Sequence, residues 1–205
     1  EMGTRAAVRV WQHPGRRFIW RPRATRWQEK AGNVSLRFRG NETQGIDGKG
    51  RVSIPSDFRP AIVTGDHRMV QGERPIFVIV YGTQSQNHLK CYTREEIEKI
   101  EARIELMDDG SEEREMLETI FHGCAMNMQL GDDGRIVLPQ KLRQKLDLDD
   151  KVFFMAGNDH FKMWKPETYE AYENDRTDQL LRERGDRFNP TSLLPKLPPK
   201  AAAPV

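Results

Sequence analysis

Apolar and polar residues follow the same order in two distant segments of the chain, IDGKGRVSIP at 46–55 and LGDDGRIVLP at 130–139. In each copy, an apolar-alternating strand is predicted to lead into a turn rich in glycine, a residue that tolerates positive φ and lets the chain reverse. A second strand is predicted after each turn, over Val52–Ile54 and Ile136–Leu138. A proline then ends each of these strands and suits the first turn of a short helix.

A second pair of matched segments lies further along the chain. HLKCYTREEIEKIEA from His88 matches HFKMWKPETYEAYEN from His160 at an offset of 72, whereas the two turns are offset by 84. The first copy therefore carries 12 extra residues between its matched segments, which we expect in a loop at 64–75. Each copy is predicted to add two more strands, PIFVIVY with HLKCY and KVFFMAG with HFKMW, and to close with a helix.

The internal repeat determines the predicted architecture. Neither copy holds enough apolar residues for a core of its own, because units of this size with one layer of structure are marginal. We therefore predict an α+β fold in which two copies of one unit intertwine around a pseudo-twofold axis. The predicted organisation is an Arg-rich disordered extension (1–33), a first repeat (34–110), a second repeat (111–184) and a Pro-rich disordered tail (185–205).

Composition narrows the class of protein. Charged residues make up 31% of the 205 residues, and the longest apolar run, Ile76 to Tyr81, is too short to cross a bilayer. Two cysteines, Cys91 and Cys124, without a C-x-x-C pair suggest free thiols in a reducing compartment. We expect a protein of the cytoplasm, without a membrane partner.

Positive charge is concentrated at the N-terminus. Residues 1–33 hold eight Lys or Arg against two Glu, a net of +6, so the rest of the chain is near −4. This segment is open to three interpretations: a targeting peptide, a nucleic-acid-binding arm, or sequence upstream of a start near Val34. Because the remaining chain is acidic overall, any attraction of its body to nucleic acid must come from a local patch.

The two turns carry a resemblance to a known family. FRGNETQGIDGKGRVSIPSDFR, from Phe38 to Arg59, together with LGDDGRIVLPQKLR in the second copy, closely resembles the MraZ family of bacterial transcriptional regulators. The resemblance covers about Phe38 to Arg184 and implies two AbrB-like swapped-hairpin β-barrel repeats in one chain. It also implies a ring of subunits that binds repeated sequences in double-stranded DNA, upstream of the division and cell-wall gene cluster, at the nucleoid. One departure is that the first copy keeps the family's Asp as Asp47, whereas the second has Gly131 there.

Arg51 is the strongest candidate for DNA contact in the first turn. A guanidinium can take guanine O6 and N7 together or grip a phosphate, and a stiff turn holds it at little ordering cost. Asp47 is expected to hold Arg51, with Lys49 at the tip and Arg37 and Arg39 as flanking phosphate contacts. The alternative from the residues alone is that Asp47 and Arg51 form an ordinary salt bridge that locks the hairpin.

The second turn is predicted to bind DNA more weakly. Asp132 and Asp133 stand next to Arg135 and would repel a phosphate, so we expect Arg135 to have mainly a structural role with some DNA contact. Apart from Asp47, the positions expected to shape the two turns are glycines and prolines: Gly48, Gly50, Pro55, Gly134 and Pro139.

Other candidate chemistry is weaker. His88 and His160 are repeat equivalents that we expect to be structural, since no Cys or carboxylate stands at ligand spacing beside them. Cys91 aligns with Met163 as a core residue, and Tyr92 aligns with Trp164 as a core or subunit-contact aromatic. We expect no enzyme activity, cofactor, metal or small-molecule substrate. The competing function is an antidote-type interaction module that pairs with a protein partner through the Pro-rich tail.

Overall fold

The computed structural model describes residues 37–70, 72–171 and 175–195. These residues form an α+β fold whose strands are β1 (Asn41–Gly45), β2 (Arg51–Ser53), β3 (Ile76–Val80), β4 (His88–Thr93), β5 (Ala125–Gln129), β6 (Arg135–Val137), β7 (Lys151–Ala156) and β8 (His160–Trp164). Six of them form an antiparallel sheet of order β1-β7-β8-β4-β3-β5, and β2 and β6 form a two-stranded ribbon. The α-helices are α1 (Arg59–Thr64), α2 (Arg94–Glu105), α3 (Glu112–Glu118), α4 (Gln140–Lys145), α5 (Pro166–Tyr169) and α6 (Asp175–Arg184).

Equivalent strands of the two copies pair with each other across a pseudo-twofold axis. In the ribbon Val52 pairs with Ile136, its own equivalent at an offset of 84. In the sheet Lys90 of β4 pairs with Lys162 of β8, its equivalent at an offset of 72. Both predicted offsets are therefore confirmed as symmetry relations of the fold.

The outer strands are exchanged between the copies. β1 of the first copy pairs with β7 of the second, and β5 of the second copy pairs with β3 of the first. Each hairpin thus completes the sheet of the other copy, which confirms the swapped-hairpin α+β fold expected from the repeat and the family resemblance.

The apolar alternation predicted before each turn is wrong for the first copy. β1 has the sequence NETQG, and none of its residues is buried. Backbone pairing with β7 at the edge of the sheet holds this strand, so its side chains do not need to reach the core. In the second copy, AMNMQ of β5 does alternate, and Met128 is buried.

One core lies between the ribbon and the sheet. The ribbon contributes Val52, Ile54, Ile136 and Leu138, all nearly inaccessible to solvent. The same apolar cluster contains aromatic rings at centroid distances of 5.1 to 6.5 Å, formed by Phe38, Phe58, Phe154 and Phe161. Because both copies supply these residues, the ribbon is anchored only when the copies are together.

The other face of the sheet is covered in part by α2. Ile97 of this helix packs with Val78, Val80 and Tyr92 in a second, smaller apolar cluster. Thr93 caps the N-terminus of the helix, because its side-chain oxygen accepts a hydrogen bond from the amide of Glu96 at 3.3 Å. The extra residues of the first copy are divided between the loop after α1 and the longer turn between β3 and β4.

The C-terminal elements add little to the core. No residue of α6 is buried, and Leu180 and Leu181 are exposed on it. A short 3₁₀ helix follows at Pro190–Leu193 within the predicted tail. No helix in 37–70, 72–171 or 175–195 combines the length and apolar character needed to span a bilayer. The predicted Arg-rich extension lies outside the described residues, as does the end of the tail.

Candidate nucleic-acid interface

The first turn is organised around the carboxylate of Asp47. Its Oδ1 accepts hydrogen bonds from the amides of Lys49 and Arg51, both at 2.9 Å. Its Oδ2 accepts one from Nε of Arg51 at 2.7 Å. The backbone reverses through Gly50 at φ +77°, a conformation that favours glycine. The hydrogen bonds, led by that from the Arg51 amide, lower the pKa of Asp47 to about 2.

This arrangement orients Arg51 through only one of the three nitrogens of its guanidinium. Asp47 engages Nε, none of the residues that the structure describes accepts a hydrogen bond from the two terminal nitrogens of Arg51, and 47% of the side chain is exposed. A guanidinium restrained at Nε in this way can still donate two parallel hydrogen bonds to a guanine edge or a phosphate. The salt bridge of the alternative interpretation is therefore present, and it is compatible with a binding role. Lys49 is exposed at the tip of the turn.

The second turn has the same backbone but a different distribution of charge. Gly131 stands where the first copy has Asp47, and its amide donates to the carbonyl of Arg135 at 2.8 Å. Asp133 accepts from the Arg135 amide at 3.1 Å, but its other oxygen is 3.9 Å from Nε of Arg135. Arg135 is therefore held more loosely than Arg51. Asp132 pairs with Arg74 at 3.1 Å.

Both arginines lie on one surface of the β2/β6 ribbon. Val52 and Ile136 point into the core, so Arg51, Ser53, Arg135 and Val137 point outward. We call these four side chains the ribbon face. A cleft of about 320 Å³ beside the first turn and one of about 580 Å³ beside the second flank it, and Arg51 and Arg135 line both.

Two half-buried arginines, Arg59 and Arg143, each contact the turn of the other copy. Nε of Arg143, from the second copy, donates to the carbonyl of Leu138 at 3.1 Å and lies directly under Gly50 of the first turn. Its equivalent Arg59 donates to Ile54 at 2.7 Å and lies under Gly134 of the second turn. A β-carbon on Gly134 would meet the Arg59 guanidinium at 2.3 to 2.5 Å. Each turn is thus supported by a side chain of the other copy.

The backbone reinforces this crossing. The amide of Leu138 donates to the carbonyl of Gly50 at 2.8 Å, and that of Ile54 donates to the carbonyl of Gly134 at 2.9 Å. Arg59 and Arg143 stand 84 positions apart in the sequence, the same offset as the two turns, but no sequence pattern pointed to a role for either. Their recurrence at this offset was the sequence signal that they have equivalent roles. Only the structure shows that each arginine supports the turn of the other copy.

The flanking arginines predicted for phosphate contact lie elsewhere. The amide of Phe38 donates to the carbonyl of Asn158, and Arg37 donates to the Asn158 side chain at 3.1 Å. Arg37 and Arg39 therefore lie at the opposite end of β1 from the turn, separated from it by a strand of about 16 Å. The structure brings together Asp47, Lys49, Arg51 and Arg135, but not Arg37 or Arg39.

The remaining candidates occupy structural positions. His88 stacks on Trp164 with ring centroids 4.3 Å apart, and the equivalent pair His160 and Tyr92 lies at 5.1 Å. Burial, together with Lys162 and Lys90, lowers the pKa of His88 to about 4. Cys91 is fully buried, as expected of a core residue, and burial raises the pKa of its thiol. Both cysteines are unpaired. Within the described part of the chain, no three His, Cys, Asp or Glu residues are grouped as metal ligands.

Comparisons with known proteins find relatives that match most of the chain. Residues 121–187 match the family model described as "MraZ protein, putative antitoxin-like". A protein of Ruegeria sp. (strain TM1040) named Transcriptional regulator MraZ is 45% identical over 161 residues, which cover 78% of this chain and 96% of that protein. Proteins of the same name from Ruegeria pomeroyi and Rickettsia canadensis are 42% and 31% identical, covering 78% and 67% of this chain and 96% and 87% of theirs.

Proposed function

The chain belongs to the MraZ family, and from that premise we propose that it regulates transcription by binding specific DNA sequences through the first turn. The observation that carries this proposal is the geometry of Arg51. Its Nε donates to Asp47 at 2.7 Å on an exposed side chain, and among the described residues no hydrogen bond engages its two terminal nitrogens. That is the arrangement needed for bidentate contact with a guanine in the major groove.

The shape of the surrounding surface supports the same proposal. A major groove about 12 Å wide admits a two-stranded β-ribbon, and several DNA-binding proteins read sequence with one. The β2/β6 ribbon carries two arginines on its outward face and is anchored by the core beneath it. Lys49 at the tip provides a phosphate contact beside the bases.

We infer that the two turns contribute unequally. The first turn carries Asp47, Lys49 and Arg51, a net of +1, whereas the second carries Asp132, Asp133 and Arg135, a net of −1 that the ion pair of Asp132 with Arg74 offsets to about zero. The first turn therefore attracts DNA, and Arg135 adds a weaker contact. Association into a ring, as the family resemblance implies, would present many first turns to repeats in the promoter of the division and cell-wall cluster. Weak sites linked in this way gain affinity when their spacing matches the DNA.

A second candidate function is an antitoxin-like interaction with a protein partner. The wording of the matched family description and the two exposed leucines of α6 favour it. Such a partner would be encoded nearby or would co-purify in a fixed ratio, whereas the regulator we propose binds DNA alone.

Fluorescence anisotropy with labelled duplexes tests the proposal. The DNA upstream of the gene for this chain is compared with a scrambled duplex of the same composition across a range of salt concentrations. We expect tighter binding to the upstream DNA, with the logarithm of the binding constant falling by about 0.9 per phosphate contact for each tenfold rise in salt. Equal and weak binding to both duplexes would refute the proposal and favour the interaction module.

A further inference from the structure

Val137 is an exposed apolar side chain that packs neither in the core nor in either turn. It belongs to the ribbon face, and 58% of it is accessible to solvent. In the ladder its Cα pairs directly with that of Arg51. The residue that we expect to read DNA in the first turn therefore has a branched apolar neighbour contributed by the second copy.

The ladder places the two side chains close together. Gly50 and Leu138 form a hydrogen-bonded position, as do Ile54 and Gly134. Hydrogen-bonded and non-hydrogen-bonded pairs alternate along an antiparallel ladder, so Arg51 and Val137 form a non-hydrogen-bonded pair. In such pairs the Cα atoms are about 4.5 Å apart, and the side chains project together from the same face.

The equivalent position in the first copy is occupied differently. Ser53 takes the place of Val137 and pairs with Arg135, and its hydroxyl accepts a hydrogen bond from Nη2 of Arg59 at 2.9 Å. The serine is thus committed to the support of the ribbon, whereas Val137 presents two methyl groups outward. Only one end of the ribbon face combines a guanidinium with an apolar group.

We propose that Val137 is a specificity-determining residue that contacts the C5-methyl group of a thymine beside the base pair read by Arg51. This inference rests on the proposed function. In the major groove, thymine differs from the other bases by this methyl group, and apolar side chains recognise it by contact. A valine fixed beside the reading arginine meets the neighbouring base pair when the ribbon enters the groove.

The proposal is tested with DNA in which single thymines of the bound site are replaced by deoxyuridine. The replacement keeps the base pairing and removes only the methyl group. We expect deoxyuridine to weaken binding about fourfold at one thymine, as loss of one buried methyl implies. This thymine should lie next to the guanine that Arg51 reads, which is identified as the guanine whose replacement weakens binding as much as Arg51→Ala does. Val137→Ser, which introduces the residue found at the equivalent position, should weaken binding to the thymine duplex similarly and be insensitive to deoxyuridine.

The controls separate this inference from the proposed function. Val70→Ser alters another exposed valine, 63% accessible and outside the ribbon face, and should retain the full sensitivity to deoxyuridine. Two outcomes would overturn the role of Val137 while leaving that of Arg51 in place. In the first, binding depends on Arg51 but deoxyuridine has no effect at any position. In the second, deoxyuridine weakens binding of Val137→Ser as much as it weakens binding of the parent. Absence of Arg51-dependent binding to the unmodified duplex would overturn both.

Discussion

Arg143 of the second copy lies directly beneath Gly50 of the first turn, with its Nε 3.1 Å from the place that a β-carbon on Gly50 would occupy. The same guanidinium holds the carbonyl of Leu138, whose amide donates to the carbonyl of Gly50. The turn that we propose to bind DNA is therefore supported from the other half of the chain.

This crossed arrangement predicts which amides exchange faster when each supporting arginine is removed. In Arg143→Ala, amide hydrogen exchange should accelerate at Gly50 and Leu138, by about fivefold for a net loss of about 1 kcal/mol in one hydrogen bond. Arg59→Ala is the matched variant and should instead affect Gly134 and Ile54. Faster exchange at Gly134 in Arg143→Ala, or at Gly50 in Arg59→Ala, would contradict the crossed arrangement.

Two glycines of the first turn should differ in their tolerance of a side chain. Gly50 has φ +77°, and a β-carbon there would lie 3.0 Å from the carbonyl of Leu138 and close to Arg143. Gly50→Ala should lower the free energy of unfolding by at least about 1–2 kcal/mol. Gly48 has open space around it, so Gly48→Ala should change stability by less than about 0.5 kcal/mol. Urea unfolding of both variants checks this prediction, which fails if their midpoints are equal.

Asp47 should remain ionised far into the acidic range. Its pKa is lowered from 3.8 to about 2 by the hydrogen bonds from Arg51 and Lys49. The stabilisation that Asp47 provides is therefore present above about pH 4 and is lost as the pH falls towards 2. An NMR titration of the side-chain carboxyl, with the signal assigned by its absence in Asp47→Asn, measures this directly. A midpoint near 4 would mean that the hydrogen bonds of the turn are not maintained in solution.

His88 should make the fold less stable in mild acid. Burial, with Lys162 and Lys90 nearby, lowers its pKa from 6.5 to about 4, so the unfolded chain binds a proton in a range where the native protein does not. Stability should consequently fall as the pH is lowered from about 6.5 to 4. Titration of the imidazole carbon-bound protons by NMR checks the sign, and a midpoint above 6.5 would contradict it. In His88→Gln the pH dependence over this interval should be reduced.

Much of this fold could be predicted from the repeat, because two copies related by a twofold axis bring equivalent residues together near that axis. Val52 and Ile136 follow the turns at the same offset, and they pair with each other. The polar strand NETQG could not be recognised by alternation, since it is held at the edge of the sheet by backbone hydrogen bonds. Alignment also identified Arg59 and Arg143 as equivalents, but equivalence does not tell which copy's turn each one supports.

The sequence also predicted part of the candidate site, namely the contact within the first turn. The spacing of Asp47 and Arg51 across a short turn predicted their contact, which the structure has at 2.7 Å. The position of Arg74 beside Asp132 could not be predicted, because it depends on the pairing of β3 with β5, which brings the residues before Ile76 beside those after Gln129. Arg37 and Arg39 are near the turn in sequence, but a strand separates them from it in space.

The most direct test of a DNA-reading first turn compares Arg51→Ala with Arg135→Ala in binding to the DNA upstream of the gene, at fixed salt. Loss of a bidentate base contact costs about 1–3 kcal/mol per turn, and a multivalent assembly multiplies the effect over its subunits. We predict that Arg51→Ala abolishes specific binding, whereas Arg135→Ala only weakens it, with both variants retaining the melting temperature of the parent within a few degrees. Equal losses would contradict the asymmetry between the turns, and unchanged binding in Arg51→Ala would contradict the account as a whole.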